Sequence, residues 1–325
     1  MSSPERRALA PPSLQEIEDA LGRIADLALR TPLLPLNDEE APAEIALKLE
    51  SLQPIGSFKI RGAGNAMRSA DPGAVEDGVY TASAGNMAQG VAWVARELGI
   101  PCSVVVPDHA PETKLAAIER LGGSVVKIPF EEWWEVLVEH GYDGLDGFFV
   151  HPVADPTVIA GNGTIGLEIV EDLSALDAVV VPYGGGGLSC GIAAAVKAKR
   201  PGTKVYAAEV ATAAPLAAAL EAGEPVPIDY TASFVDGIGS GRVLDEMWPL
   251  AEELLDGAIV VGLDEVAGAI RLLVERNRVV AEGAGAAPVA AAMTGEAGSG
   301  RVACVVSGGN IDAGKLARIL EGERP

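Results

Sequence analysis

The chain contains 325 residues, 49% of them hydrophobic, and carries a formal net charge of −22 at pH 7. A chain of this length buries a substantial core, and we expect one large domain or two of modest size. The acidic excess argues against nucleic acid and anionic membranes as partners, because either would require a basic contact face.

The cysteines and histidines show no pairing or metal-ligand pattern. The three cysteines lack C-x-x-C spacing and lie in apolar segments, which predicts reduced, mostly buried thiols in a cytoplasmic protein. The histidines lack the spacing of metal ligands, so surface or hydrogen-bonded roles are expected for His109, His140 and His151. Residues 1–12 contain no apolar signal region, and no membrane-length apolar run follows, so we expect a soluble, unexported protein.

The N-terminal part predicts an amphipathic helix at about residues 14–29 and a short strand at 44–50. A lysine then stands between two turn-forming glycines, in Gly56-Ser57-Phe58-Lys59-Ile60-Arg61-Gly62. A lysine amine with a lowered pKa can form a Schiff base with a carbonyl cofactor such as pyridoxal 5′-phosphate (PLP). On its own, the segment favours a surface lysine that opens an amphipathic helix. Arg61 fits a charge-neutralising role near Lys59 and an ordinary surface ion pair equally well.

A first series of alternating strands and helices occupies the next part of the chain. Strands are predicted at 79–82, 102–106, 124–128 and 148–150, with helices at 87–98, 111–121 and 131–140, which is typical of parallel βαβ units. The loop Thr81-Ala82-Ser83-Ala84-Gly85-Asn86 opens the first of these helices. Its amides and hydroxyls form a site of carboxylate size, although ordinary capping by Ser83 or Asn86 explains the loop locally.

An apolar strand leads into four consecutive glycines, in Val179-Val180-Val181-Pro182-Tyr183-Gly184-Gly185-Gly186-Gly187-Leu188. Glycines allow successive amides to turn towards an anion, and the following helix presents its positive dipole end. The segment lacks the Gly-Lys-Ser/Thr ending of a triphosphate loop and the spacing of a dinucleotide loop. It therefore predicts a phosphate site rather than a site for ATP or NAD, with a flexible turn as the alternative.

A second series of strands (178–181, 204–209, 258–261, 302–306) and helices (188–199, 213–222, 264–276, 313–320) completes the chain. Its last strand ends at Ser307-Gly308-Gly309-Asn310, where open α/β sheets bind ligands, although an ordinary turn serine also explains Ser307 on its own. We therefore predict an α/β fold of two doubly wound, mostly parallel lobes, the smaller inserted into the larger. The expected boundaries are 1–77 and 156–325 for the large lobe and 78–155 for the small lobe, with the active site in the cleft between them.

These motifs, together with residues 151–164, resemble in their order the PLP-dependent threonine/serine dehydratase and serine racemase family. That family belongs to the tryptophan-synthase-β structural class, fold type II. The resemblance spans most of the chain and implies β-elimination of water from a β-hydroxy amino acid, L-threonine or L-serine. It also implies PLP as cofactor and a homodimer.

The resemblance assigns roles residue by residue. Lys59 would hold PLP and act as the base, beside Phe58. The backbone of Gly184, Gly185, Gly186, Gly187 and Leu188 would hold the phosphate, Asn86 would contact the ring's phenolic oxygen, and Ser307 would contact the pyridine nitrogen. The substrate carboxylate would be received by Ser83, Ala84 and Gly85, together with Asn86.

Several positions depart from the family pattern. Ala84 replaces the serine that acts as second base in racemases, and Met87 replaces a common histidine. Pro215 replaces an acidic residue that would form a divalent-metal site with Glu209, so no metal is predicted. Glu282 matches a family glutamate near the cofactor but also fits a simple helix N-terminal acid. The short segment after Ser307 leads us to expect no C-terminal regulatory domain.

Alternative functions remain open from the sequence. The substrate could instead be 3-hydroxyaspartate or phenylserine, and the same loops serve racemases and β-replacement synthases. A PLP-binding protein with decayed catalysis and a nucleotide-binding Rossmann protein are the remaining hypotheses.

Overall fold

The computed structural model describes residues 9–325, so the prediction for the first twelve residues lies largely outside the described part of the chain. Within residues 9–325, no helix combines the length and apolarity needed to cross a bilayer. The ordered elements, numbered in chain order, are twelve α-helices and ten strands. The helices are α1 Leu14–Arg23, α2 Lys59–Ser69, α3 Asn86–Leu98, α4 Glu112–Arg120, α5 Phe130–Glu139, α6 Pro156–Asp172, α7 Gly187–Lys199, α8 Pro215–Ala222, α9 Trp248–Leu254, α10 Leu263–Leu272, α11 Gly283–Met293 and α12 Ala313–Leu320.

The strands form two sheets that are parallel except at one edge. They are β1 Leu33–Pro35, β2 Glu44–Lys48, β3 Val79–Ala82, β4 Cys102–Pro107, β5 Ser124–Ile128, β6 Phe148–Phe149, β7 Ala178–Pro182, β8 Lys204–Val210, β9 Gly257–Val261 and β10 Arg301–Val305. One sheet has the order β1-β2-β10-β7-β8-β9 and the other β5-β4-β3-β6. Only β1 pairs antiparallel, with β2. The predicted α/β class and its mostly parallel sheets are confirmed.

The smaller sheet is built from strands β3 to β6, whereas the larger sheet combines β1 and β2 with strands that follow β6. Strands β7 and β10 are buried along their whole or nearly whole length, as expected for central parallel strands covered on both faces. The exact lobe boundaries 1–77, 78–155 and 156–325 stay a prediction. The cysteines Cys102, Cys190 and Cys304 are free and buried, as predicted.

Helix α6 has no counterpart among the predicted elements because its three internal glycines are typical of loops. In the structure these glycines permit close helix packing. A Cβ atom at Gly161 would lie 2.5 Å from the carbonyl oxygen of Arg61 in α2. At Gly166 it would lie 2.8 Å from the carbonyl oxygen of Ile192 in α7. Glycine therefore brings α6 against both neighbours, at a cost in intrinsic helix propensity that packing offsets.

Helix α1 is shorter than predicted, ending at Arg23 instead of continuing to about residue 29. Arg68 donates a hydrogen bond to the carbonyl oxygen of Arg23 at 2.7 Å, which satisfies one of the acceptors at the helix end. The chain then turns, and Ile24 and Leu27 pack into the core beneath the smaller sheet. Strand β1 and the short helix α9 were also not predicted, because neither carries a pattern long enough to be recognised.

Candidate active site

Lys59 is the first residue of α2 and points into a cleft between the two sheets. Its Nζ donates a hydrogen bond to the carbonyl oxygen of Pro152 at 2.8 Å and lies 5.1 Å from the centre of the Phe58 ring. Burial removes water from the ammonium group and lowers the pKa of Lys59 from 10.5 to about 8. A substantial fraction of the amine is therefore neutral, and nucleophilic, near physiological pH.

A cluster of buried charges fixes the helix that carries Lys59. Arg61 is 1% exposed, so the predicted surface ion pair is wrong. Its guanidinium donates to Glu50 at 2.8 Å and to Glu168 at 2.7 Å, and Lys48 donates to Glu168 at 2.5 Å. Glu50 follows β2, Glu168 belongs to α6, and Lys48 is the last residue of β2. The cluster therefore joins α2 to the larger sheet and to α6 through charge-assisted hydrogen bonds.

The glycine loop connects β7 to α7 and leaves no room for side chains at Gly185 and Gly187. A Cβ atom at Gly185 would lie 2.6 Å from the side chain of Val153, and one at Gly187 would lie 2.8 Å from the Val153 carbonyl oxygen. Gly186 has a φ of +94°, which L-residues rarely adopt. The loop therefore exposes its backbone at the N-terminus of α7, an arrangement suited to a phosphate group.

The loop before α3 places Asn86 between groups of the larger sheet. Asn86 Nδ2 donates to Glu282 at 2.8 Å, and Asn86 Oδ1 accepts from Asn310 Nδ2 at 2.8 Å. Simple capping by Asn86 is thus wrong, since its side chain makes no bond to its own helix. Ser83 Oγ accepts the N–H of Gly85 at 3.1 Å, which orders the loop that precedes the helix.

Glu282 and Ser307 form the wall of the cleft opposite α3. Burial, together with the nearby charge of Asp236, raises the pKa of Glu282 from 4.5 to about 7, while Asn86 and Lys114 oppose that rise. Ser307 follows β10 and is 2% exposed. Its position matches the prediction that it lies at a strand's carboxyl end.

A cavity of about 490 Å³, called here the smaller cavity, brings together every predicted site residue. These are Phe58, Lys59, Ser83, Ala84, Gly85, Asn86, Gly184, Gly185, Gly186, Gly187, Leu188 and Ser307. The same cavity is lined by residues that the site prediction left out, including Glu282, Met87, Phe130 and Trp133. Glu282 was singled out because it matches a family glutamate near the cofactor, but it was left out of the predicted site because it fits an ordinary helix N-terminal acid at least as well.

One cluster in the described part of the chain has the spacing of a metal site, and it was not apparent from the sequence. Ligand atoms of His140, His151 and Glu246 all lie within 4.8 Å of one another. However, His151 Nδ1 accepts backbone N–H groups of Val153 and Ala154 at 3.0 and 2.7 Å. Its Nε2 must then carry the proton, and it lies 3.2 Å from a carbonyl oxygen of α5. Neither nitrogen of His151 offers a lone pair to a metal.

Glu209, the residue of the family's divalent-metal site, caps a helix in this structure. Its two carboxylate oxygens accept the N–H groups of Leu216 and Ala217, each at 2.8 Å. Burial raises the pKa of Glu209 to about 7 despite these bonds. The carboxylate is thus used at the N-terminus of α8, which begins at Pro215.

Comparison with known proteins agrees with this arrangement. Residues 24–308 match the family described as "Pyridoxal-phosphate dependent enzyme". The chain is 40% identical to the L-threonine ammonia-lyase of Thermotoga maritima over 313 residues, covering 95% of this chain and 78% of that protein. It is 36% identical to the serine racemase of Rattus norvegicus over 325 residues, covering 96% and 97% of the two chains.

Among solved structures, maize serine racemase superposes with a TM-score of 0.89 at 31% identity, covering 96% of this chain and 98% of that one. The predicted family and cofactor are confirmed. The chain therefore belongs to the pyridoxal-phosphate dependent enzymes of fold type II, and its cofactor is pyridoxal 5′-phosphate.

Proposed function

We propose that this enzyme is an ammonia-lyase that removes water from a β-hydroxy amino acid, L-threonine or L-serine, and releases a 2-oxo acid and ammonia. The observation that carries the proposal is the environment of Lys59. Its amine, with a pKa lowered to about 8, shares one cavity with a side-chain-free glycine loop and with the Ser83–Asn86 loop. The similarity to threonine ammonia-lyases supports the same reaction class.

The residues around the smaller cavity fit PLP. The glycine loop would hold the phosphate with its backbone amides. A side chain at Gly185 or Gly187 would collide with Val153, so only glycine lets the backbone take this course beside the phosphate. Lys59 would hold the cofactor through its amine, and Asn86 would donate to the ring's phenolic oxygen. Ser307 would meet the pyridine nitrogen. When bound, PLP draws electrons from the substrate's Cα and so makes its proton acidic.

Lys59 is the group that moves the proton. With the substrate bound and the Lys59 amine released from the cofactor, the Nζ of Lys59 would accept the substrate's Cα proton. A pKa of Lys59 near the working pH favours this proton transfer. The proton that Lys59 accepts would pass to the β-hydroxyl, which leaves as water and produces an enamine. The enamine tautomerises and hydrolyses to the 2-oxo acid and ammonia. The Ser83–Gly85 segment would hold the substrate carboxylate through the Ser83 hydroxyl and the Ala84 N–H, and so orient the Cα–H bond, because the N–H groups of Ser83 and Gly85 already donate to Val105 and to Ser83 Oγ.

Two side chains favour elimination over racemisation. Ser307 is neutral and cannot keep the pyridine nitrogen protonated as an aspartate would, so a long-lived carbanion is disfavoured. Ala84 has no hydroxyl with which to return a proton to the opposite face of Cα. The similarity to serine racemases keeps racemisation as the second candidate. We expect ammonia release from L-serine to exceed its conversion to D-serine.

The test combines spectroscopy with product analysis. Purified protein should show the absorbance band of lysine-bound PLP near the edge of the visible spectrum, and Lys59→Ala should lack this band. Adding L-threonine to the wild type should yield 2-oxobutanoate, and Lys59→Ala should lower the rate by about 10³-fold or more. Arg318→Ala, on the exposed face of α12, is the matched control and should behave as the wild type. A band without any 2-oxo acid from threonine or serine would contradict the proposed reaction. Conversion of L-serine to D-serine faster than ammonia release would establish the racemase instead.

A further inference from the structure

A second and larger cavity, of about 740 Å³, adjoins the smaller one at Lys59. The two cavities share eight lining residues and so adjoin around the amine: Lys59, Pro152, Val153, Gly184, Gly185, Asp236, Gly237 and Ile238. The loop 83–86, which is proposed to hold the substrate carboxylate, lines only the smaller cavity. A substrate with its carboxylate on that loop and its Cα at Lys59 can therefore extend its third substituent towards the larger cavity.

One wall of this space is an exposed apolar stripe on α5. Phe130, Trp134 and Val138 recur every four residues, which places them on one helix face. They are 45%, 43% and 40% exposed, whereas a surface helix of a soluble protein usually packs its apolar face against the core. Phe130 lines the smaller cavity, whereas Trp134 and Val138 line the larger one. The stripe thus faces the space beside Lys59 along its length.

The opposite wall is also apolar and comes from a loop of the larger sheet. Ile238, Val243 and Leu244 line the larger cavity, and each belongs to or packs against a buried cluster of that lobe. Residues 234–247 form neither a regular helix nor a strand, and most of them line the larger cavity. An apolar group between this loop and α5 would be removed from water on both sides.

Besides Lys59, Arg242 is the one lysine or arginine among the residues that line the larger cavity, and it is already paired. Arg242 donates to Asp245 at 2.8 Å, and both are exposed at the rim. Asp236 is paired with Lys114 at 2.9 Å. Glu139 and Glu246 also line the cavity, and Glu246 Oε1 lies 3.0 Å from His140 Nε2. A carboxylate-bearing substituent would meet several like charges here, and this excess disfavours 3-hydroxyaspartate.

We propose that the larger cavity binds the β-substituent of the substrate and selects a large apolar group, branched alkyl or aryl, over serine and over an acidic side chain. This inference rests on the proposed ammonia-lyase function and names its substrate class. Trp134 is the specificity-determining residue, because its ring is the largest apolar surface offered by the α5 wall.

The kinetic test compares kcat/KM for L-serine, L-threonine, L-3-phenylserine and L-3-hydroxyaspartate. We expect 3-phenylserine to exceed serine by about 10-fold or more, since each buried methylene contributes a several-fold preference. Trp134→Ala should lower the value for 3-phenylserine about 10-fold and leave that for threonine within about 2-fold. Glu135→Ala is the matched control, because Glu135 lies on the same helix, is exposed and lines neither cavity.

A binding measurement separates this inference from the proposed function. L-Leucine, L-phenylalanine, L-alanine and L-aspartate carry no β-hydroxyl, so calorimetric titration of the holoenzyme reports affinity without elimination. Leucine and phenylalanine should bind about 10-fold or more tightly than alanine and aspartate, and Trp134→Ala should reduce that preference.

The possible outcomes are distinct. Equal or weaker binding of the apolar amino acids, or a preference for aspartate, would overturn the inference even if threonine is a good substrate. Tight binding of leucine and phenylalanine without turnover of any β-hydroxy amino acid would retain the apolar subsite and refute the ammonia-lyase instead.

Discussion

Replacing Glu282 by glutamine should remove the part of the pH dependence of this protein's stability that comes from ionising Glu282. Glu282 is 7% exposed and contacts Asn86 through one carboxylate oxygen. Glutamine keeps the shape and offers the same carbonyl acceptor to the Asn86 amide, but it does not titrate. The substitution therefore isolates the cost of ionising a buried carboxyl group.

The magnitude follows from the raised pKa. Desolvation raises the pKa of Glu282 from 4.5 to about 7, so the folded state binds the proton more tightly than the unfolded chain. Its contribution to stability is fully present below pH 4.5 and is lost as pH rises through about 7. At about 1.4 kcal/mol per pKa unit, the wild type should lose about 2–3 kcal/mol from this group between pH 5 and pH 8.

Urea unfolding of the wild type and Glu282→Gln at pH 5 and pH 8 tests this reasoning. The difference in unfolding free energy between the two proteins should move by about 2–3 kcal/mol in favour of the variant on going to pH 8. Glu321→Gln, at an exposed position, should show no such change. The same difference at both pH values would mean that Glu282 is ionised throughout, and the argument from burial would fail.

Two further predictions concern the parts that hold the site. Arg61→Met leaves the buried carboxylates of Glu50 and Glu168 with Lys48 as their one remaining lysine or arginine partner, and it should lower the unfolding free energy by about 3–5 kcal/mol in urea unfolding. The control Arg318→Met breaks an exposed ion pair and should lower the unfolding free energy by less than about 1 kcal/mol. Gly187→Ala places a Cβ atom against the Val153 backbone, so it should weaken PLP binding about 10-fold or more in a spectrophotometric titration of the apoprotein. The control Gly202→Ala places its Cβ atom in open space and should leave PLP affinity unchanged.

The sequence predicted those parts of the site that depend on local backbone geometry. Four glycines after an apolar strand are informative because only glycine fits that turn, whatever lies elsewhere in the chain. Ser307 was predicted for a similar reason, since the end of a buried strand indicates the ligand-binding edge of a parallel sheet. Both signals are contained within about ten residues, so no knowledge of tertiary contacts was needed.

Other parts could not be predicted because they are made by residues far apart in the chain. Arg61 appeared to be a surface residue, and only its partners Glu50 and Glu168 reveal that it is buried. Helix α6 was missed because its glycines are unfavourable locally and are explained only by the helices that pack against them. The helix α5 was predicted, but the exposure of its apolar stripe to the cleft is likewise a tertiary property.

The hydrogen bonds of Asn86 explain how one residue can serve both the fold and the cofactor. An asparagine amide has two N–H donors and one carbonyl acceptor. Glu282 accepts from one donor, and Asn310 donates to the carbonyl oxygen, so both contacts leave a second N–H for the proposed bond to the phenolic oxygen of PLP. The cofactor can then bind without breaking either contact. Because Glu282 precedes α11 and Asn310 follows β10 while Asn86 begins α3, the same bonds link the two sides of the cleft.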